Sequence, residues 1–204
     1  MNKMNNKENM LKVALDLFSK KGYRAVSVRD ICGELNLKES ALYYHFKNKQ
    51  ALLDELYQQI LTLIENMKAS FDQAFSPVTT VSLEEMKMVS AAFLTNYLCN
   101  PLVSKFISML SIERLSDSKA WEVYKKLIYE MPLEQCEKVF KLMIQKKIVK
   151  AGEEEKYSKI YYSIIFNAYN EHVFGRVENK KVVEKAVAQV NQEIEAFYKL
   201  IKIK

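Results

Sequence analysis

Apolar residues recur three and four positions apart along nearly the whole chain, a spacing that places side chains on one face of an α-helix. The first such pattern predicts a helix over about residues 5–21, and Gly22 is typical of the position that ends a helix. We expect this helix to be a scaffold for the segment that follows. Its apolar face consists of Met10, Val13, Ala14, Leu17 and Phe18.

Residues 26–49 predict two short helices joined by a tight turn. Ser27 begins the first of them, because its hydroxyl can cap a free backbone N–H and Asp30 can reach back to the Ser27 backbone. Asn36 tolerates the left-handed backbone that ends a helix abruptly. The apolar face between these positions is formed by Val28, Ile31, Cys32 and Leu35.

The second short helix is expected at about residues 38–46, with Ala41, Leu42 and Phe46 buried. Two crossed helices with such a turn form a helix-turn-helix, whose second helix enters the DNA major groove. The spacing fits equally an ordinary helical hairpin whose tyrosines only pack. The side chains left to meet something outside are Lys38, Glu39, Ser40, Tyr43, Tyr44 and His45.

Further helices are predicted for the rest of the chain. Asn48 can cap a long helix that continues to about residue 75, which we interpret as a connection whose rotation moves the second motif helix. A loop is expected at 76–80, and Pro132 is expected to kink a helix rather than to divide it. The later helices are predicted at about 83–99, 101–115, 116–149, 154–174 and 180–202.

The last two predicted helices, at about 154–174 and 180–202, have apolar faces broader than one body needs to cover. Such helices can pair with their symmetry mates as a four-helix bundle, so we expect a homodimer interface there. The alternative is that they close the core of a single chain.

Composition supports an all-α fold, because 204 residues include only four glycines and three prolines and show no run of alternating β-branched residues. No stretch approaches the roughly 18 uncharged residues needed to cross a bilayer, and the N-terminus is polar. The three cysteines are expected to be buried and reduced, and we expect a cytoplasmic protein. They are Cys32, Cys99 and Cys136.

Positive charge is concentrated at the start of the chain. Residues 1–50 contain ten Lys and Arg against five acidic residues, whereas the whole chain has a net charge of +6. A basic N-terminal module on a nearly neutral body is the distribution expected of a protein that binds the phosphate backbone. A solvated basic face would show the same surplus.

The motif residues also resemble a known family. The run from Leu42 to Leu53, LYYHFKNKQALL, is similar to the signature of the tetracycline-repressor (TetR) family of bacterial transcription regulators. The upstream segments AxxLFxxxGY from Ala14 and SVRDI from Ser27 match the same family at the same spacings. The resemblance covers about the first sixty residues. It implies a helix-turn-helix DNA-binding head at 4–64, with its motif at about 27–46, joined by a long helix to a ligand-binding and dimerisation body at 65–204.

The resemblance also implies roles for individual side chains. Helix N-termini and hydroxyl groups suit phosphate binding, and lysine can donate to guanine in the major groove. The residues implied to hold phosphates are Ser27, Tyr43, His45 and Lys49. Those implied to reach base edges are Lys38, Ser40, Ala41 and Tyr44.

Three positions depart from the family pattern. Asn36 replaces the usual turn glycine, and Glu39 and Ser40 stand where a Lys-Gly pair is common. Glu39 repels phosphate unless it accepts a hydrogen bond from cytosine N4. The base preference is therefore expected to be unusual.

Catalytic and metal chemistry is not indicated. No carboxylate or nucleophile spacing completes a triad around His45, and His172 has no second Cys or His ligand at helical spacing. We therefore expect no enzyme activity, no metal and no cofactor.

The body offers aromatic and methionine side chains that suit the lining of an apolar pocket, although each is as well explained as ordinary core. The resemblance implies a small-molecule effector whose binding releases the dimer, acting as a repressor, from a two-fold DNA operator. The aromatic and methionine residues lead us to expect that this effector is largely apolar. The alternatives are a helical protein-binding scaffold and a regulator without a small-molecule effector. The candidate ligand-binding residues are Phe93, Tyr97, Phe106, Met109, Trp121, Tyr124, Phe166 and Tyr169.

Overall fold

The structure is a computed structural model that describes residues 3–75 and 81–203. Most of these residues are helical, so the all-α prediction is confirmed. The loop predicted at 76–80 lies outside the described residues. The helices are α1 (Lys3–Lys21), α2 (Val28–Glu34), α3 (Glu39–His45), α4 (Lys49–Phe75), α5 (Leu83–Phe93), α6 (Pro101–Glu113), α7 (Ser118–Lys125), α8 (Met131–Gln145), α9 (Glu154–Ala168) and α10 (Lys180–Ile201), with π-helical segments at Leu94–Leu98, Lys126–Glu130 and Tyr169–Val173.

Local capping sets several of these boundaries, as the sequence predicts. The Asp30 N–H donates to Ser27 Oγ at 3.1 Å, and the Ser27 N–H donates to Asp30 Oδ2 at 2.8 Å. The Ala51 N–H donates to Asn48 Oδ1 at 2.8 Å at the start of α4. Asn36 has a φ of 53° and so adopts the left-handed conformation expected of it. Each cap satisfies backbone groups that a helix end leaves without partners.

The chain forms two compact units. The first comprises Met1–Glu65 and Lys105–Tyr124, and the second comprises Asn66–Ser104 and Lys125–Lys204. A segment assigned from the sequence to the body, Lys105–Tyr124, thus belongs to the unit that contains the helix-turn-helix. The division into a head at 4–64 and a body at 65–204 stays a prediction.

The core of the first unit is built on α1. Apolar side chains of α1, α2, α3 and α4 are almost completely inaccessible there, which stabilises the unit through removal of apolar surface from water. Ala41 is a departure, because it is only partly buried although it was predicted to be buried. The core side chains include Met10, Ala14, Phe18, Ile31, Leu42, Leu52, Leu56 and Ile60.

Pro132 lies inside a helical run that continues from Ser118 to Gln145. The π-helical segment Lys126–Glu130 directly precedes α8, and Pro132 occupies the first turn of α8. Proline lacks a backbone N–H, and a change of helix type just before it accommodates that loss. The run is therefore one continuous helix, and the division into two helices does not occur.

Buried tyrosines hold the second unit together through their hydroxyl groups. Tyr97 donates to the Leu127 carbonyl oxygen at 2.7 Å, and Tyr162 donates to that of Ile128. Both carbonyl groups lie in the π-helical segment Lys126–Glu130. A buried hydroxyl needs such a partner, because leaving it unpaired costs about 1–3 kcal/mol.

Helices α9 and α10 bury much of the apolar surface that was predicted to form a dimer interface. Many of these side chains are buried within the single chain, which agrees with the alternative that α9 and α10 close the core of one chain. Ile160 is exposed, and Ile164, Val183 and Val187 are partly exposed. The side chains buried within the chain include Tyr157, Tyr161, Ile165, Ala186, Val190, Ile194 and Phe197.

Within the first unit, Arg24 binds the C-terminal end of α6. Its backbone N–H donates to Glu113 Oε1 at 3.2 Å, and its Nε lies 3.3 Å from Glu113 Oε2. Its Nη2 lies 3.2 Å from Asp117 Oδ2. Gly22 leaves room for the Glu113 carboxylate, since a Cβ added at Gly22 would lie 2.6 Å from Glu113 Oε1.

We therefore predict that Gly22→Ala is more destabilising than Gly152→Ala. Both glycines have a positive φ, of 81° and 85°, so each alanine costs about 1 kcal/mol for the left-handed backbone. At Gly22 the new methyl group also displaces the Glu113 carboxylate, which adds about 1 kcal/mol for the lost hydrogen bond to Arg24. Gly152 has nothing within 4 Å and is the control. Urea unfolding measures both changes, and equal destabilisation would contradict the role of Glu113.

Candidate nucleic-acid interface

Helix α3 is seven residues long and has one inward and one outward face. Leu42 and Phe46 face the core of the first unit and are 0% and 4% exposed. Tyr43 and Tyr44 face outward and are 52% and 67% exposed. Large aromatic side chains this exposed, on a helix this short, form a surface suited to contact with another molecule.

The other predicted contact residues of α3 surround this tyrosine pair. Lys38 and Ser40 are exposed at the start of the helix, while Ala41 and His45 are partly buried. His45 lies 4.9 Å from Tyr44 in an edge-to-face ring contact. The structure thus places Lys38, Ser40, Tyr43 and Tyr44 together at one outer surface, which we call the α3 surface.

The turn before α3 fixes the direction of the helix. The Leu37 N–H donates to the Cys32 carbonyl oxygen at 2.9 Å, and the Asn36 N–H donates to that of Gly33 at 3.0 Å. These bonds join the end of α2 to the two residues of the turn that precede the N-cap of α3, Lys38. The α3 surface is therefore held on a turn whose backbone groups already have partners.

Lys49 lies at the start of α4 and is used inside the first unit. Its ammonium group donates to the carbonyl oxygens of Tyr23 and Val26, at 2.9 and 2.7 Å, and lies 4.2 Å from the centre of the Tyr23 ring. Burial lowers the pKa of Lys49, because water no longer fully solvates its charge. Two of its three N–H groups are thus engaged, and the predicted phosphate contact depends on the third.

Ser27 is similarly engaged. Its hydroxyl accepts from the Asp30 N–H and donates to Asp30 Oδ2 at 2.7 Å. These hydrogen bonds from Ser27 lower the pKa of Asp30, so a carboxylate stands beside the N-terminus of α2. The predicted phosphate contact of Ser27 stays a prediction.

Sequence analysis did not identify Lys47, which lies two residues after the end of α3. Its side chain is exposed, and neither it nor Lys38 forms an ion pair with any residue that the structure describes. A lysine without a partner beside an outward helix is available to a polyanion. Its position one residue after Phe46, within the basic first fifty residues, was the signal that could have identified it.

The residues predicted to line one ligand pocket belong to both units. In the first unit, Phe106 stacks on Tyr57 with 6.0 Å between ring centres, and Trp121 stacks on Tyr124 at 6.1 Å. Met109 is buried there as well. Phe106, Met109 and Tyr124 are thus ordinary core side chains, whereas Trp121 is 38% exposed at the surface of this unit.

In the second unit, Phe93 contacts the ring of Tyr97 at 5.3 Å, and Phe166 stacks on Tyr162 at 5.7 Å. Tyr169 is fully buried, with its hydroxyl 3.3 Å from Ser104 Oγ. Most of these rings therefore fill the core rather than line a space.

A separate cavity in the second unit includes Phe93 but no other predicted ligand residue. Its volume is about 10 Å³, which is room for roughly one water molecule. Gln135 is its polar member, and sequence reasoning missed it because a single glutamine on an amphipathic helix has no distinctive signal. The remaining lining residues are Phe71, Val89, Cys136, Val139 and Tyr161.

The three cysteines are buried thiols, as predicted. Burial raises the pKa of Cys99 to about 11 and that of Cys136 to about 12.

His172 is buried with its Nε2 at 2.6 Å from Gln189 Oε1. In residues 3–75 and 81–203, we find neither a group of three or more potential metal ligands nor a helix long and apolar enough to span a membrane.

Comparisons with known proteins agree with this geometry. Residues 10–56 match the family model of bacterial regulatory proteins of the tetR family. The tetracycline repressor protein class C of Escherichia coli is 40% identical over 63 residues, which are 31% of this chain and 28% of that protein. The match thus spans less than a third of the first curated relatives' length.

Longer matches are more distant. The uncharacterized HTH-type transcriptional regulator YvkB of Bacillus subtilis is 23% identical over 166 residues, covering 79% of this chain and 80% of that protein. A TetR family transcriptional regulator from Pseudomonas syringae pv. tomato has the same fold, with a TM-score of 0.63, 14% identity and 97% of each chain covered. Residues 10–56 are thus similar to tetR-family bacterial regulatory proteins, and the chain as a whole has the fold of a solved regulator of that family.

Proposed function

We propose that this protein is a sequence-specific DNA-binding transcription regulator whose helix α3 enters the major groove. The observation that carries the proposal is the α3 surface, on which Tyr43 and Tyr44 stand exposed on a helix anchored by Leu42 and Phe46. A helix-turn-helix places the N-terminal residues of its second helix against base edges. Such a role places the protein in the bacterial cytoplasm.

The contacts divide into those that position the protein and those that read bases. Lys38, Ser40, Ala41 and Tyr44 are proposed to meet base edges. Tyr43, His45, Ser27 and Lys49 are proposed to hold phosphates, with Lys47 as an addition that its exposure supports. The surplus of positive charge in the first fifty residues favours the approach to DNA.

A homodimer through α9 and α10 would place two α3 helices on one operator. Support comes from the apolar side chains of these helices that the single chain leaves partly accessible, Ile160 and Ile164 on α9 and Val183 and Val187 on α10. Each pair is four residues apart and so lies on one helix face. Two-fold operators of such dimers have half-sites about 34–36 Å apart, one turn of the duplex.

Repression relieved by a small, largely apolar effector is the proposed form of regulation. An effector that prefers a dimer with a different spacing of α3 helices shifts the population away from the DNA-competent state. A regulator without an effector, and a helical scaffold that binds a protein, are the competing functions. A scaffold would bind DNA weakly and without sequence preference.

Selection of operators from random DNA tests the proposal, with the region upstream of the protein's own gene included in the pool. We expect enrichment of a two-fold-symmetric site with half-sites one turn apart. A pool without any enriched symmetric site would contradict a sequence-specific regulator.

A thermal-shift screen tests the effector. If the screen found only small anionic effectors, that result would count against a largely apolar effector.

Lys38→Ala is predicted to relax preference at a single base position of each half-site. A lysine that donates to a base contributes about 1–3 kcal/mol of discrimination, and its loss leaves other positions unchanged. Binding to a panel of single-base operator variants measures this. A uniform loss over the whole panel would show that Lys38 contacts phosphate instead.

Lys49→Ala and Lys47→Ala form a matched pair. Lys49→Ala removes two hydrogen bonds from a charged donor to carbonyl oxygens, so we expect the first unit to lose about 2 kcal/mol of stability, along with weaker binding to every sequence. Lys47→Ala is expected to leave stability within about 0.5 kcal/mol while lowering the slope of log affinity against log salt by about 1.

Urea unfolding and a salt titration of operator binding measure the two effects. If Lys49→Ala left the unfolding curve unchanged, its hydrogen bonds to the Tyr23 and Val26 carbonyls would not stabilise the fold. If Lys47→Ala left the salt slope unchanged, Lys47 would not contact phosphate.

A further inference from the structure

Glu39 is the first residue of α3 and the acidic residue of that helix. Its side chain is exposed, and it makes no hydrogen bond or ion pair with any residue that the structure describes. The base and phosphate contacts proposed for α3 leave Glu39 unassigned. A helix-turn-helix places the N-terminal residues of its second helix against base edges, so a role for this carboxylate follows from its position.

Lys38, directly before Glu39, does not neutralise this charge. Lys38 is the N-cap of α3 and has an extended backbone, with a φ of −75° and a ψ of 150°. Consecutive residues at a helix start do not face each other, and Lys38 likewise has no ion pair within the described part of the chain. The N-terminal end of α3 therefore offers one cationic donor and one anionic acceptor, both unpaired.

The backbone that carries Glu39 is held in place. The Ala41 N–H donates to the Lys38 carbonyl oxygen at 2.9 Å, which closes the first turn of α3. Leu42, three residues after Glu39, is 0% exposed and anchors the same turn in the core of the first unit. A side chain on a fixed backbone can select among bases more sharply than one on a mobile loop.

The chemistry of a carboxylate restricts which base Glu39 can meet. An ionised carboxylate accepts hydrogen bonds and donates none. In the major groove, cytosine presents the N4 donor alone, and adenine presents the N6 donor beside the N7 acceptor. Guanine presents two acceptors, and thymine presents an acceptor and a methyl group. A carboxylate thus meets an acceptor at every base except cytosine.

The phosphate backbone adds a second restriction. Duplex DNA carries one negative charge per about 1.7 Å of its axis, so it repels a carboxylate that approaches it. At a cytosine, the hydrogen bond from N4 offsets this repulsion, whereas at other bases nothing does. Glu39 therefore opposes binding to most sequences, which is a means of discrimination between DNA sites.

We propose that Glu39 is a specificity-determining residue that accepts a hydrogen bond from cytosine N4 in each half-site of the operator. Glu39 raises the ratio of specific to non-specific affinity, because its charge is compensated only where that cytosine is present. The inference rests on the proposed entry of α3 into the major groove. It adds a carboxylate to the base contacts proposed for Lys38, Ser40, Ala41 and Tyr44.

Operator selection with the full-length Glu39→Gln variant tests this role. A glutamine amide has both a donor and an acceptor, and it pairs with N6 and N7 of adenine. We expect one position of each half-site to change from cytosine to adenine, with the other positions unchanged and about tenfold weaker binding to the original operator. Selection of the same sequence by the variant and the unaltered protein would overturn the proposal.

Glu34→Gln is the matched control, because Glu34 is an exposed carboxylate at the end of α2 and its loss changes the net charge equally. We expect Glu39→Gln to strengthen binding to DNA without an operator while weakening binding to the operator. Glu34→Gln is expected to change both affinities by the same factor. If the two variants had the same ratio of specific to non-specific affinity, Glu39 would act through net charge alone, and the proposal would fail.

An altered operator tests the contact in the unaltered protein, so the result does not depend on the folding of a variant. Replacing the cytosine with 2-pyrimidinone removes the N4 amino group. We expect the unaltered protein to bind this operator about tenfold more weakly, and Glu39→Ala to show no such loss, because the variant lacks the acceptor. Equal losses in both proteins would show that the amino group acts through the DNA alone and would contradict the contact.

Failure of this inference is separable from failure of the proposed function. An enriched two-fold operator whose sequence Glu39→Gln leaves unchanged contradicts the role of Glu39 alone. A pool without any enriched symmetric site contradicts the sequence-specific regulator and, with it, every proposed base contact.

Discussion

Burial of Leu42 and Phe46 in the core of the first unit is the constraint on which the α3 surface depends. A helix of seven residues is not stable in isolation, so its orientation comes from tertiary contacts rather than from its own hydrogen bonds. Facing these two side chains inward necessarily turns Tyr43 and Tyr44 outward. The same two apolar contacts thus determine both the stability of α3 and the identity of the surface that it presents.

Polar contacts hold the segment that leads into the helix-turn-helix in place, which apolar burial alone does not do. Lys49 ties the start of α4 to the backbone between α1 and α2, and Arg24 ties that same segment to the end of α6. Hydrogen bonds have directional requirements that apolar contacts lack. Both sets of contacts end on residues 23–26, so the segment that leads into the helix-turn-helix is held from α4 and from α6.

Much of the fold follows from local signals. Ser27, Asn36 and Asn48 set helix ends through contacts with residues at most three positions away, and each behaves as its chemistry predicts. The contacts that give the site its rigidity are not local. Lys49 lies 23 and 26 residues from its acceptors, and Arg24 lies 89 residues from Glu113, so no pattern within a helix reveals them. Likewise, the periodicity of α10 identifies an apolar face without telling whether Val190 packs against its own chain or against a partner.

Methylation interference on a selected operator measures whether α3 lies in the major groove. Methylation of guanine N7 modifies the major groove, whereas methylation of adenine N3 modifies the minor groove. If α3 lies there, methylated guanines weaken binding in two clusters one helical turn apart, at the positions whose preference Lys38→Ala relaxes. Interference confined to adenine N3, or absent from both grooves, would contradict this position of α3.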